Sequence, residues 1–165
     1  MLRLAVPTDA ADLADVHVTT WQTAYSEILP DDFLASLDRP RREDWWRGRL
    51  EAGARVHVVD EGRVLGFCQP VPAEGSPGWG EILTIYVLPD HWGRGLGRQL
   101  LGAAEASLAA DGFERALLWV FAANSAARGF YERMGWRRGR PIQLLELGGL
   151  DVTEVRYEKD LPTMP

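Results

Sequence analysis

The sequence predicts an α+β fold of six to seven strands and about four helices. Three observations carry this expectation. Short apolar segments recur along the chain with strand-like patterning, longer segments between them place apolar residues at helical spacing, and glycine, proline or acidic-glycine pairs mark the changes from one to the other. The 165 residues suit one domain spanning 1–165, long enough to bury roughly 70% of the surface of its unfolded chain.

The elements follow in order. Leu2 to Val6 alternates and stops at Pro7, a first strand. Asp9 is placed to cap a helix in which Leu13, Val16 and Trp21 recur as far as Tyr25, and ILPDDF closes it. A second helix, capped by Asp31 or Asp32, carries Phe33, Leu34, Leu37, Trp45, Trp46 and Leu50 up to Gly53. RVHVVDEGRVLGFCQPV reads as two strands joined at Glu61 and Gly62, an acidic-glycine hairpin signal. PAEGSPGWG is a loop, and EILTIYVL from Glu81 is an apolar strand stopped by Pro89. Leu96, Leu100, Leu101, Ala104 and Leu108 then trace one face of a helix ending before Gly112. ALLWVF is a further strand, Asn124 begins a short helix through Met134 with Gly135 beyond it, and strands near Ile142 to Leu147 and Val152 to Tyr157 complete the chain.

Composition removes several function classes. Hydrophobic residues at 46%, charged residues at 25% and seven tryptophans describe a packed globule. No apolar run is long enough to cross a bilayer, and the N-terminus turns acidic too early for a signal peptide, so the expected location is cytoplasmic, with no membrane partner. Cys68 is alone, and His17, His57 and His91 lack metal-ligand spacing, so no metal is expected. A net charge of −6 opposes a sequence-independent grip on nucleic acid and suits a small cationic partner.

The most informative stretch is HWGRGLGRQLL, His91 to Leu101. A helix N-terminus bares N–H groups and carries partial positive charge, so cations are disfavoured there. Here the only charges between Asp90 and Glu105 are Arg94 and Arg98, and Gly93, Gly95 and Gly97 leave the backbone uncovered. An anion seated in the loop would reverse the cost. The plain alternative is a strand-to-helix turn with solvated arginines. A Walker loop is excluded because no Gly-Lys-Ser/Thr follows, and Arg98 stands where a GxGxxG dinucleotide fingerprint needs glycine.

A strand, a proline and WGRGLGRQLL opening a helix resemble the acyl-CoA-binding motif of the GNAT superfamily of N-acetyltransferases, and NSAARGFYERMGW is similar to that family's second signature. The resemblance covers nearly the whole chain, with one departure: Trp92 stands where the family usually has Gln or Arg. It implies a single GNAT-like domain with a central mixed, mostly antiparallel sheet, splayed between the strands at 81–88 and 116–121. It further implies that Ile85, Tyr86 and Val87 offer backbone groups to the pantetheine arm of acetyl-CoA. The loop of Trp92, Gly93, Arg94, Gly95, Leu96, Gly97 and Arg98 would hold the pyrophosphate, and Asn124 and Tyr131 would lie beside the pantetheine. Asn124 equally suits a helix N-cap, and the basic run Arg137 to Arg140 either reaches the 3′-phosphate or forms a solvated hairpin.

Acetyl transfer to an amine needs a neutral nucleophile, a stabilised oxyanion and a protonated leaving thiolate. A lysine-like amine is neutral in about one molecule in two thousand at pH 7, so a base is required. Glu81 is the candidate, since partial burial on an apolar strand raises a carboxylate pKa, and a water relay or a solvated strand-end glutamate are the alternatives. By resemblance Tyr131 is the acid and the Val87 N–H polarises the thioester carbonyl, while core packing alone would also account for Tyr131. The acceptor, a small amine or a peptide amine, would meet Trp21, Tyr25 and Trp79, although Trp21 and Tyr25 four apart on a helix also fit core packing. A non-catalytic acyl-CoA sensor and a nucleotide-binding domain without CoA are the competing readings. Exposed strands in small domains of this kind often pair, so a homodimer is compatible with the sequence.

Overall fold

The computed structural model describes residues 1–162, so the last three positions of the expected 1–165 domain lie outside the described residues. Seven strands form one sheet: β1 Leu2–Leu4, β2 His57–Asp60, β3 Val64–Pro72, β4 Trp79–Val87, β5 Arg115–Phe121, β6 Arg137–Leu147 and β7 Leu150–Asp160. Their order is β1-β2-β3-β4-β5-β7-β6, antiparallel throughout except where β4 meets β5. Five helices cover it: α1 Ala10–Ala24, α2 Asp31–Ala35, α3 Arg39–Glu51, α4 Leu96–Ala110 and α5 Ser125–Arg133. Alternation along β3 divides the core. Phe67 faces α1 and α3, meeting Trp46 and His17, while Gly66 faces Leu100 of α4.

Several boundaries differ from the sequence expectation, each for a local reason. The single helix expected from Asp31 to Gly53 is two, because Asp38 Oδ1 accepts from the Arg41 N–H at 2.9 Å and Pro40 follows directly, a cap and a first-turn proline that start a new helix. Asp9 stands before α1 without capping it by side chain: its carboxylate takes Arg3 at 2.7 and 2.9 Å and the Val6 N–H at 2.8 Å. β4 begins at Trp79, two residues before Glu81. The basic run from Arg137 belongs to β6 itself, and β7 extends to Asp160. The hairpin at Glu61 and Gly62 is as expected, with Gly62 at φ 91° and its N–H held by Asp60 Oδ1 at 2.8 Å.

Two glycines set how closely the layers approach. A Cβ on Gly80 would stand 2.6 Å from Leu108 Cδ2, and one on Gly66 would stand 2.8 Å from the Tyr86 carbonyl oxygen and 3.1 Å from Leu100 Cδ1. A backbone oxygen cannot move aside as a side chain can. Gly66→Ala is therefore expected to cost about 2 kcal/mol, lowering Tm by about 4–8 °C in a domain of this size. Thermal unfolding followed by circular dichroism checks this, and an unchanged Tm would mean that β4 yields freely.

Candidate active site

The site begins where the sheet opens. β4 pairs with β5 only at Trp79↔Arg115, Gly80↔Ala116 and Glu81↔Leu117, and beyond Glu81 the two strands separate. The β3 register explains the place of the break. Gln69 faces Thr84 but Pro70 faces Ile82, so Leu83 is an extra residue in β4, a bulge that bends the strand. The Leu88 N–H donates to the Leu65 carbonyl at 2.9 Å, which fixes the phase of the ladder. Hydrogen-bonded pairs alternate, so Tyr86 and Thr84 direct their backbone groups to β3 while Ile85 and Val87 direct theirs into the gap. Of the three residues expected to offer backbone to a ligand, Tyr86 thus does not. Its ring lies instead on the α1 face against His17 and Phe67, with centroids 5.0 and 5.5 Å away.

The glycine loop lies at the end of the same strand. Pro89–His91 forms a 3-10 turn, and Gly93 and Gly95 follow with φ of 75° and 82°, a left-handed conformation that glycine adopts without steric cost. Gly95 sits at the N-cap of α4 with no side chain over the helix end. Among the described residues, the N–H groups of Gly93, Arg94, Gly95, Leu96, Gly97 and Arg98 meet no acceptor, whereas that of Trp92 is already bonded to the Pro89 carbonyl at 3.1 Å. The run of bared donors therefore starts at Gly93 and not at Trp92. A Cβ at Gly93 or Gly95 would meet nothing within 4 Å, so the space over the loop is open, while one at Gly97 would come within 3.3 Å of Phe130 Cζ on α5. Arg94 reaches Glu61 at 3.4 Å between two exposed side chains, and Arg98 is exposed without an ion-pair partner among the described residues.

Trp92 has a role of its own. Its indole N–H donates to the Val87 carbonyl at 2.7 Å, and the buried Thr20 hydroxyl donates to the same oxygen at 3.2 Å. Two donors from different elements fix the end of β4 and neutralise a carbonyl that would otherwise face the gap. Thr20 was invisible in the sequence because its partner is a backbone atom 67 residues away.

Tyr131 is the buried residue of α5, with Ala127, Phe130 and Met134 only partly buried around it. Its hydroxyl has no hydrogen-bond partner among the described residues. Burial raises its pKa above the ordinary phenol value, with the neighbouring Cys68 and Tyr86 side chains adding to the shift, so it stays protonated. Asn124 Oδ1 accepts from the Ala127 N–H at 3.1 Å and caps α5. Glu81, the last β4 residue still paired with β5, is half-buried, and burial, then Glu154 and Glu74, raise its carboxyl above the usual range.

The three residues expected to meet an acceptor are not brought together. Trp21 and Tyr25 stack edge-on at 5.2 Å, and Tyr25 packs on Phe121 at 4.7 Å within a small second core with Leu29 and Leu34. Trp79 lies at the start of β4 between the Arg115 and Arg156 guanidinium groups at 5.4 and 5.6 Å. Two further groups emerge on this side: Glu154 on β7, and buried His17, pushed down to about 3 by desolvation and by Arg42 and hence neutral. No group of three or more metal-ligating side chains occurs among the described residues. No described helix is long and apolar enough to cross a membrane.

Comparison with known proteins agrees with this geometry. Residues 18–136 match the model of the acetyltransferase (GNAT) family. An uncharacterized N-acetyltransferase, YuaI, of Bacillus subtilis (strain 168) is 37% identical over 118 residues, covering 70% of this chain and 68% of that protein. A mycothiol acetyltransferase of Kocuria rhizophila is 39% identical over 110 residues, 64% of this chain, which spans only 35% of that longer protein. The fold is similar to that of the PaiA N-acetyltransferase from Thermoplasma acidophilum in complex with coenzyme A, with a TM-score of 0.72, 19% identity and coverage of 97% and 98% of the two chains. The chain belongs to the acetyltransferase (GNAT) family and is an acyltransferase.

Proposed function

We propose that the protein transfers an acetyl group from acetyl-CoA to a primary amine of a small molecule or peptide by direct attack within a ternary complex. The observation that carries this reading is the run of six unpartnered N–H groups from Gly93 to Arg98, set at the end of a strand edge that β5 has left. Donors at a helix N-terminus favour a diphosphate, and a strand edge favours the amides of a pantetheine arm. When bound, acetyl-CoA supplies the activated acyl group. The Ile85 backbone groups align the arm, and the Val87 N–H, whose own carbonyl is held by Trp92 and Thr20, donates to the acetyl oxygen as negative charge builds there. Glu81, directly or through a water, takes the first proton from the ammonium to free the nucleophile, Tyr131 gives one to the departing sulfur, and the second proton the nitrogen sheds as the amide forms restores the Tyr131 phenol through solvent. The amine nitrogen gains the acetyl carbon, the carbon–sulfur bond breaks, and the products are an amide and free coenzyme A.

The carboxylates of Glu154 and Glu74, close enough to Glu81 to raise its pKa, favour an acceptor that arrives as a cation. A panel of amines and peptides assayed with acetyl-CoA and a free-thiol readout tests the proposal. Turnover of any amine supports it. Calorimetric binding of acetyl-CoA without turnover across the panel would favour the sensor reading instead.

Glu81 adds a pH signature. A base acts only when deprotonated, so kcat/KM is expected to rise with pH through a midpoint above the ordinary glutamate value. Glu81→Gln should remove that limb and lower kcat/KM by about 100-fold. The stability effect has the opposite sign. Because the folded pKa is raised, the native state holds its proton more tightly than the unfolded chain, and ionisation destabilises it as pH rises from the unfolded toward the folded value. Glu81→Gln should therefore raise Tm at pH 7, with the gain vanishing below the ordinary carboxylate range. Parallel loss of activity and Tm at pH 7 would instead mark a structural role.

A further inference from the structure

Two buried polar groups on neighbouring strands have no partner. Gln69 on β3 is 1% exposed and its amide Oε1 accepts no hydrogen bond among the described residues, and the buried Oγ1 of Thr84 on β4 makes none either. An orphaned buried polar atom costs stability, so a native fold keeps few of them. These two lie together. Gln69 faces Thr84 directly across the ladder, at the point where the bulge inserts Leu83 into β4.

Strand alternation places both on the face that carries the candidate base. Phe67 points to α1 and α3, so Gln69 and Val71 point the same way, and the residues opposite these three, Tyr86, Thr84 and Glu81, share that face. Side chains directly opposite have Cβ atoms about 5 Å apart, and diagonal neighbours are about 7–8 Å apart. The ends of Gln69, Thr84 and Glu81 therefore reach one small volume beside Ile85, whose backbone faces the gap. Other unpartnered atoms on this face, His17 Nδ1, Trp21 Nε1 and Trp46 Nε1, belong to rings stacked on one another and on Phe67 and Tyr86. Thr84 is not held in that way. It is partly exposed, and rotation about χ1 alone redirects its hydroxyl.

The chemistry of the two groups fixes their order. An amide oxygen only accepts, whereas a hydroxyl has one donor and two lone pairs. A Thr84 hydroxyl that donates to Gln69 Oε1 keeps its lone pairs for a donor on the other side. An amine beside Glu81 is such a donor. Once Glu81 has taken a proton from the ammonium, a primary amine has two N–H groups and one lone pair. An N–H given to Thr84 holds the nitrogen while its lone pair stays free for the acetyl carbon, and each hydrogen bond in the chain strengthens the other.

We propose that Thr84 binds the acceptor amine and that Gln69, behind it, is a positioning residue that sets the direction of the Thr84 hydroxyl; the assignment rests on the acetyl-transfer reading above. The test is steady-state kinetics of the full chain at saturating acetyl-CoA, with the amine of the panel that is turned over fastest. Circular dichroism and calorimetric titration with acetyl-CoA accompany each variant. Thr84→Val keeps the shape and loses the hydroxyl, and is expected to lower kcat/KM for the amine at least about tenfold. Acetyl-CoA affinity and the pH midpoint assigned to Glu81 should not move. Thr84→Ser keeps the hydroxyl and should return kcat/KM to within about threefold of wild type. Gln69→Met, close in length but without the amide oxygen, should lower kcat/KM about fivefold alone and add nothing to Thr84→Val, because Gln69 acts only through that hydroxyl. The two Thr84 variants decide the contact even where the buried Gln69 position does not tolerate Met. A Thr84→Val within about twofold of wild type, a serine no better than valine, or effects of Gln69 and Thr84 that multiply would each overturn the assignment and leave acetyl transfer standing. Turnover of no amine would remove the acetyl-transfer reading, and this assignment with it.

Discussion

Gly95→Asp is expected to reduce coenzyme A affinity by at least about 100-fold, about 3 kcal/mol, while the ligand-free protein keeps its fold. The left-handed φ of 82° costs a non-glycine residue about 1–2 kcal/mol, at the low end for aspartate. No atom lies within 4 Å of the added Cβ, so packing is not disturbed. The large term is electrostatic. The new carboxylate would stand over the N–H groups of Gly93 to Arg98 and compete with the diphosphate, and two like charges about 4 Å apart repel by about 4 kcal/mol at an effective dielectric of 20. Gly95→Ala separates the contributions, since it has the conformational cost without the charge and should lose about tenfold at most. Calorimetric titration gives both numbers. In thermal unfolding, wild type should gain about 2.7 kcal/mol at a coenzyme A concentration 100 times its Kd, and Gly95→Asp almost nothing at that concentration. Equal affinity of wild type and Gly95→Asp would mean that the anion sits elsewhere, and the proposed acyl-CoA orientation would fall with it.

How much of this site is legible in the sequence follows from where the information resides. The loop is local: glycines that need positive φ and arginines in an electrostatically wrong place are both visible in eleven consecutive letters. The hairpin at Gly62 is legible for the same reason. The break between α2 and α3 is less so, because Phe33, Leu34, Leu37, Trp46 and Leu50 keep a helical rhythm across it. Asp38, with the Arg41 N–H three residues on and Pro40 between, was the signal that outweighed periodicity.

Other features depend on partners remote in the chain. The gap after Glu81 was expected only through family resemblance, since apolar patterning on β4 does not reveal that Leu83 is unpaired. Which backbone groups face that gap depends on the β3 register, and this excludes Tyr86 although its letter stands between Ile85 and Val87. The acceptor side was least legible. Aromatic residues there serve packing, as Trp21 and Tyr25 do in the second core, and nothing in the letters separates a stacked core ring from one awaiting a ligand.

Tyr131→Phe is expected to lower kcat by about 100- to 10,000-fold, the range of a lost general acid, with acetyl-CoA affinity nearly unchanged. The same variant should not lose stability. The Tyr131 side chain is largely buried, but its hydroxyl is not among the buried polar atoms left without a partner and makes no hydrogen bond to the described residues, so its removal breaks none. A Tm that is unchanged beside a collapse in kcat is a combination a purely packing tyrosine would not produce. Burial also raises the phenol pKa, which at first opposes its use as an acid. The thiolate is formed in the same dry pocket, however, and desolvation raises the pKa of its thiol as well. What matters is their difference, about 1.5 units between ordinary phenol and thiol values or about 2 kcal/mol, which burial of both leaves nearly intact. The raised value keeps Tyr131 protonated well into the alkaline range, so the wild-type rate should hold there once Glu81 has ionised. A kcat within about threefold of wild type in Tyr131→Phe, under conditions where chemistry limits the rate, would show that solvent protonates the sulfur and that the ring is present for shape alone.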